Sequence, residues 1–269
     1  MFEIVNKLPA KKFQEADEFL NFLGIYEDEK RNQSFSRLIE RNGCFIAGRT
    51  GVEAGAGLGS LTQVLLDAGA KKVYAVEENS FCAQFLKNRF KSNNKVKVIH
   101  DKIENFTPPR KEKMQFLFQE LYGPLLLDES LLSLEKIKFD PGIVLPDSGL
   151  ILGEVVRLED FNDPTITEDI INLLEGTLVT DLFLNFRFKK PFVIGSWQFR
   201  KGQRNYSFEA GITKKGILSL GMEVWHGQRK VSGTGYCFNW PYIFVPVKPG
   251  TVNLRFQYSK GLTEVEFRN

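Results

Sequence analysis

The sequence is poor in the residues that staple or metallate a fold. Its three cysteines, Cys44, Cys82 and Cys237, are widely spaced, show no Cys-x-x-Cys pair and cannot all pair with one another. A disulfide framework is therefore excluded, and reduced thiols in a cytoplasmic setting fit best. His100 and His226 are the only histidines. Each stands alone, which reads as structural, and no metal site is expected. Long apolar runs are missing too: no stretch of about 18 residues is apolar enough to span a bilayer. The opening MFEIVNKLPAKKFQEADEF carries charges where a secretory signal needs an unbroken apolar core, so no membrane association or export is expected. Charge of one sign is not in excess, with 36 Lys and Arg against 33 Asp and Glu, a formal net charge of +3. No field of the whole protein marks a nucleic-acid or anionic-membrane binder, and neither partner is expected, although a local patch stays open. Internal repeats and low-complexity tracts are absent.

What is present suffices for a large core: 42% of the 269 residues are hydrophobic, and 24 are phenylalanine, mostly single among polar neighbours as in half-buried strands. Over the first forty residues apolar side chains recur at three and four (Phe13, Ala16, Phe19, Leu20, Leu23, then Phe35, Leu38, Ile39), predicting short helices. From Thr50 the pattern alternates. Strands are predicted at Gly51 to Ala54, Lys71 to Val76, Val96 to His100 and Met114 to Gln119, with helices at Leu61 to Ala68 and, capped by Ser80, at Ser80 to Phe90. A βαβαβ series implies a parallel sheet covered by helices. After the turn signals Asp140-Pro141-Gly142 and Pro146-Asp147-Ser148-Gly149 the helical period fades, apart from Thr167 to Glu175. Strands are then predicted at Leu182 to Phe188, Phe192 to Phe199, Tyr206 to Ala210, Ile217 to Val224 and Tyr242 to Val247, with Val252 to Gln257 and Leu262 to Phe267 as a hairpin about Tyr258-Ser259-Lys260-Gly261. The expected fold class is α/β: an N-terminal helical segment (1–40), a Rossmann-like domain (41–148) and an antiparallel, β-barrel-like domain (149–269).

Between the first predicted strand and helix lies Glu53-Ala54-Gly55-Ala56-Gly57-Leu58-Gly59. Glycine lets the backbone turn tightly and lets a ligand approach without meeting a Cβ, and the helix start offers unpaired N–H groups. Alone, such a triplet is more often just a loop. Glu77 ends the next strand, 22 positions after Gly55, where a carboxylate accepts hydrogen bonds from both ribose hydroxyls, and Glu53 faces the same cleft mouth. Dinucleotide folds space their glycines two and then three apart, whereas both gaps here are two. That favours S-adenosylmethionine over NAD.

With these residues in view, the chain resembles the protein arginine N-methyltransferases. VEAGAGLGSLTQVLLDAGAKKVYAVEENS is similar to that family's cofactor loop through to its ribose acid. QELYGPLLLDESLL is similar to its double-glutamate loop, with Glu120 and Glu129 nine apart, and FDPGIVLPDSG to the entry into its β-barrel. The resemblance covers about Arg31 to Gly149. It implies that Gly55, Gly57 and Gly59 form the cofactor loop, that Arg31 clamps the cofactor carboxylate with Glu53 in the same cleft, and that Glu77 holds the ribose. Ile103 and Glu104 would border the adenine. Glu120 and Glu129 would grip the substrate guanidinium, with Tyr122 and Trp240 as substrate walls. There are departures. Glu53 stands where the family usually has aspartate, Glu120-Leu121-Tyr122-Gly123 replaces Glu-Trp-Met-Gly, and Phe238-Asn239-Trp240 replaces Thr-His-Trp. The stretch between Asp160 and Phe192 is brief beside the family's dimerisation arm, so its arm-in-barrel dimer is not carried over and a homodimer remains only one option.

The paired acids suit the chemistry that the resemblance implies. A carboxylate takes two parallel N–H bonds from a guanidinium, and a second one biases positive charge away from the attacking nitrogen. A cation between them keeps both ionised, so the pair predicts a cationic acceptor. The expected activity is S-adenosylmethionine-dependent methylation of arginine in a protein or peptide. Free arginine or another small guanidino compound is the alternative, and a catalytically silent binding subunit ranks below both.

Overall fold

The computed structural model describes residues 9–126, 131–161, 165–180, 182–183, 185–199, 205–212, 216–247, 250–257 and 266–268. The chain divides into two compact units, 1–120 with 136–146 and 121–135 with 147–269. The helices of the first forty residues thus cluster with the parallel sheet, and 121–135 clusters with the antiparallel part.

The first unit opens with α1 (Ala10–Glu27) and α2 (Glu29–Arg41), followed by a single turn, α3 (Gly43–Ile46). At 18 and 13 residues, α1 and α2 are longer than the short helices expected. In α2 the apolar spacing buries Phe35, Leu38 and Ile39, and the Asp28 side chain caps the helix by accepting from the Arg31 N–H at 3.0 Å. The alternating elements follow: β1 (Thr50–Ala54), α4 (Ser60–Asp67), β2 (Lys72–Glu77), α5 (Ser80–Arg89), β3 (Val96–His100), β4 (Phe116–Gln119) and β5 (Val144–Leu145). All pair in parallel in the order β3-β2-β1-β4-β5. β1, β2 and β4 are buried almost throughout, as strands covered on both faces must be. Strand order reverses at β1, and the carboxyl ends of β1 and β4 flank the point where doubly wound sheets bind ligands. The cap of α5 lies one residue earlier than expected. Asn79, not Ser80, is the N-cap, its Oδ1 accepting from Phe81 and Cys82 N–H at 3.0 and 3.1 Å, because the extended backbone of β2 runs on to Asn79.

The second unit holds β6 (Ser148–Val156), α6 (Glu168–Leu173), β7 (Val179–Thr180), β8 (Phe192–Gln198), β9 (Asn205–Ile212), β10 (Gly216–His226), β11 (Arg229–Gly233), β12 (Ile243–Val247), β13 (Gly250–Gln257) and β14 (Glu266–Arg268). Its antiparallel sheets run β7-β12-β10-β6-β8, with β11 on β10, and β14-β13-β9. The described strands thus form two sheets, and no ladder among them closes a barrel. Two expectations fail here for physical reasons. Ser148 and Gly149, part of a turn signal, begin the long strand β6, because β10 and β8 pair with it on either side. Leu182 to Phe188 is no strand where it is described: Phe183 and Phe186, three apart, are apolar because both rings pack edge-on against Phe244, at 5.2 and 5.3 Å. The turn Tyr258 to Gly261 lies outside the described residues, while β13 and β14 pair antiparallel with Val252 opposite Phe267.

Candidate active site

The glycine turn is built by backbone conformation. Gly55, Gly57 and Gly59 have φ of 67°, 52° and 77°, the left-handed region that other residues enter at a cost. Two glycines of the triplet differ in kind. A Cβ on Gly59 would stand 2.6 Å from Leu86 and 2.7 Å from Phe90, so this glycine exists for packing against α5. A Cβ on Gly57 would meet nothing within 4 Å, so this glycine leaves open space beside the turn. Gly55 and Ala56 N–H donate to the Val76 carbonyl at 3.0 and 3.1 Å, which ties the turn to β2.

Glu77, 3% exposed, accepts from Gly57 N–H at 2.8 Å through Oε2 and from Asn79 N–H at 2.7 Å through Oε1. Burial raises its pKa against the pull of these two bonds. A carboxylate has about four lone-pair sites, so the side chain that organises the turn keeps acceptor capacity. Glu53, at 2% exposure, accepts from the Thr62 hydroxyl at 2.5 Å. Its pKa is pushed up to about 8, first by burial and further by Glu77 and Glu120, with the Thr62 bond opposing. The longer side chain than aspartate is what reaches α4. Ile103 is buried and Glu104 half-buried just beyond β3, beside Glu77, whose carbonyl accepts from Asp101 N–H at 3.1 Å.

Glu120 follows β4 directly, and its Oε1 accepts from Nε of the buried Arg31 on α2. Burial raises the Glu120 pKa, and the Arg31 guanidinium opposes the rise. The structure therefore engages Arg31, expected at the cofactor carboxylate, with the acid expected at the substrate. Three buried or half-buried carboxylates, Glu53, Glu77 and Glu120, thus share the carboxyl edge of one sheet, near enough for two of them to shift the third.

Within the second unit, Tyr122 and Trp240 were expected as substrate walls but are fully buried. The Trp240 indole N–H donates to the Tyr122 carbonyl at 2.6 Å, and the two rings meet edge-on at 6.0 Å. Their observed role is to hold the backbone after Glu120, where Leu125 and Leu126 take φ of 50° and 60°. That conformation is costly for non-glycine residues. Glu129 lies outside the described residues. Sequence reasoning missed Thr62, Asn79 and the Arg31 to Glu120 pair. Thr62 had a signal, sitting on the first turns of the helix that faces Glu53. Among the described residues no group of three or more His, Cys, Asp or Glu side chains is placed to hold a metal ion, and no helix is long and apolar enough to cross a membrane.

The fold defines the class: an α/β chain with a parallel, Rossmann-like sheet and a separate antiparallel-sheet domain. The family described as ribosomal RNA adenine dimethylase matches residues 48–122. Protein arginine N-methyltransferase 1 of Oryza sativa subsp. indica is 33% identical over 156 residues, covering 54% of this chain and 39% of the rice protein. Protein arginine N-methyltransferase 6 of Xenopus tropicalis is 35% identical over 108 residues, covering 39% of this chain and 31% of that protein. This chain thus spans less than half the length of these relatives. Among solved structures, PRMT6 superposes with a TM-score of 0.67 at 13% identity, covering 91% of this chain and 97% of that one. The Trypanosoma brucei PRMT1 enzyme-prozyme heterotetrameric complex with AdoHcy gives a TM-score of 0.63 at 18% identity, covering 91% and 92%. The resemblance to the protein arginine N-methyltransferases read from the sequence is borne out.

Proposed function

We propose that this chain is an S-adenosylmethionine-dependent N-methyltransferase that methylates the guanidinium of arginine in a protein or peptide. One observation carries the reading: Glu120, at the carboxyl edge that also bears the glycine turn and Glu77, already accepts an N–H from a guanidinium, that of Arg31. The same sheet edge fits the cofactor. Gly57 leaves open space at the turn, Glu77 keeps acceptor capacity for the ribose, Ile103 and Glu104 lie beside it for the base, and Arg31 is the cation for the carboxylate. When bound, S-adenosylmethionine supplies a methyl group on a sulfonium.

The chain's own part is orientation and charge. Glu120 fixes the plane of the acceptor guanidinium, and orientation of this kind contributes on the order of 7 to 11 kcal/mol in favourable cases. Glu129 enters as its partner only through the family resemblance. Arrival of a cation beside Glu120 adds to the pull of Arg31 and keeps the carboxylate ionised despite burial. No histidine stands at position 239, and the proton released after transfer passes to water or to a glutamate. Three free cysteines, two of them buried, support a reducing, cytoplasmic setting. A barrel-like closure of the antiparallel domain and a homodimer belong to the same reading, and light scattering tests the latter.

Mass spectrometry after incubation with S-adenosylmethionine tests the activity, using arginine-rich peptides, free arginine and small guanidino compounds. Methylated peptide arginine is the expected product. Methylation of free arginine alone would transfer the reading to the small-molecule alternative, which the brief segment between Asp160 and Phe192 favours. Binding of S-adenosylhomocysteine with no methylated product from any acceptor would leave a silent subunit.

A further inference from the structure

The amino edge of the parallel sheet, opposite the edge described above, carries an unbalanced cluster of cations. The segments leading into β1 to β4 (45–50, 70–74, 91–97 and 109–115) hold nine Lys or Arg and one acid, a local charge of +8 in a chain of net +3, so the remainder is net −5. Backbone bonds fix these segments side by side. Lys71 N–H donates to the Arg49 carbonyl, Val73 N–H to that of Lys95, and Gln115 N–H to that of Thr50, each at 2.8 Å. With strands about 4.8 Å apart, the row from β3 to β4 extends roughly 15 Å. Lys71, Lys95, Lys97 and Lys113 are exposed and make no ion pair among the described residues. The one acid, Glu112, is taken by Lys72 at 2.9 Å and by the Tyr74 hydroxyl at 2.5 Å. Within the row, before β1, the Arg49 guanidinium sits 5.7 Å from the ring centre of Phe45, which is 44% exposed.

We propose that this edge binds a single-stranded polynucleotide, independently of methyl transfer. A row of unpaired like charges raises the local potential, and a polyanion laid along it releases condensed counterions as each cation meets a phosphate. Seven of the nine cations are lysines. These are flexible point charges suited to phosphate without sequence readout. Phe45, flat, exposed and next to a guanidinium, supplies a stacking face for one unpaired base, which a duplex would not offer. An acidic protein segment needs an apolar anchor as well, and Phe45 is the one exposed large apolar side chain within these four segments.

The test is fluorescence anisotropy of a labelled oligouridine of about 12 nucleotides with the full chain and no cofactor. Saturable binding is expected, with log affinity against log salt falling at about −0.7 per phosphate contacted. Lys71→Glu/Lys95→Glu/Lys97→Glu lowers affinity at least about tenfold and flattens that slope by about 2. Lys12→Glu/Lys189→Glu/Lys190→Glu, an equal charge change at exposed positions elsewhere, leaves both within about twofold. Thermal melting checks folding, and the corresponding Lys→Gln triple serves if the charge reversal unfolds the chain. No saturable binding, equal loss in both triples, or displacement by an equal concentration of polyglutamate of matching length would each overturn the proposal.

Discussion

The two edges of one parallel sheet carry opposite chemistry. At the carboxyl edge, Glu53, Glu77 and Glu120 are removed from water and satisfied by Thr62, by backbone N–H groups and by Arg31. At the amino edge the charges are, Glu112 apart, positive, mostly exposed and, Lys72 apart, without ion pairs among the described residues. Buried acids in a cleft are costly unless a cation or a hydrogen-bond donor meets them, so they define a small site with fixed partners. Exposed lysines cost little and define a surface that meets any polyanion. The contrast therefore predicts separable functions. Glu120→Gln should lower turnover about 10²- to 10³-fold, on the order of 3 to 4 kcal/mol of barrier. Oligouridine affinity should be unchanged. Retained turnover in this variant would remove Glu120 from the substrate site, and lost oligonucleotide binding would show that the edges are not independent.

Glu53 sharpens the comparison through pH. Its folded pKa of about 8 lies above the ordinary glutamate value of 4.5, so the folded chain holds a proton that the unfolded chain releases between these values. Stability of the cofactor-free protein should then fall as pH rises through that window, by on the order of 5 kcal/mol over its whole width. Glu53→Gln should remove the largest part of the fall, leaving the smaller part that Glu77 and Glu120 contribute, as read from urea midpoints between pH 5 and pH 8. A parallel decline in the variant would mean that Glu53 titrates normally. Binding of a cationic ligand beside Glu53 should also release protons at pH 7, measurable calorimetrically in buffers of different ionisation enthalpy.

The glycines of the turn separate packing from binding. Gly59→Ala puts a Cβ into Leu86 and Phe90 at φ 77° and should cost about 2 to 4 kcal/mol of stability. Gly57→Ala meets open space, so its stability cost is limited to about 1 to 2 kcal/mol for the left-handed backbone. S-adenosylhomocysteine affinity should be the property that Gly57→Ala loses. A Gly57→Ala variant with undiminished affinity would show that the open space is not where the nucleotide lies.

How far this division was legible in the sequence depends on the range of the interactions that set it. The βαβ alternation from Thr50 to Gln119 showed because burial on both faces gives continuous apolar strands and local caps mark the helices. The glycine triplet and Glu77 were legible as a turn plus an acid at a set distance, though not that Glu77 itself caps the turn through Gly57. Long-range choices were hidden. Ser148 and Gly149 read as a turn until β8 and β10 pair beside them, and the phenylalanines of 182–188 mimic a strand because they pack on Phe244 and Tyr242. The Arg31 to Glu120 contact joins residues 89 apart, which no local pattern reveals. The basic edge was present in plain view as lysines or an arginine before each of β1 to β4, and the near-neutral total charge concealed it.

The smallest effect is expected at the single acid of the amino edge. Glu112 accepts from Lys72 and Tyr74 and is partly exposed, so its ion pair contributes at most about 1 kcal/mol. Glu112→Gln keeps a side-chain oxygen for the Tyr74 hydroxyl and removes the one negative charge of the row. Thermal stability should shift little. Freed from Glu112, Lys72 joins the row, and oligouridine affinity at low salt should rise roughly two- to fivefold, with the salt slope steeper by about 0.7. A fall in affinity would mean that Glu112 organises the lysines rather than competing with phosphate for them, and no change would place the polyanion elsewhere on the chain.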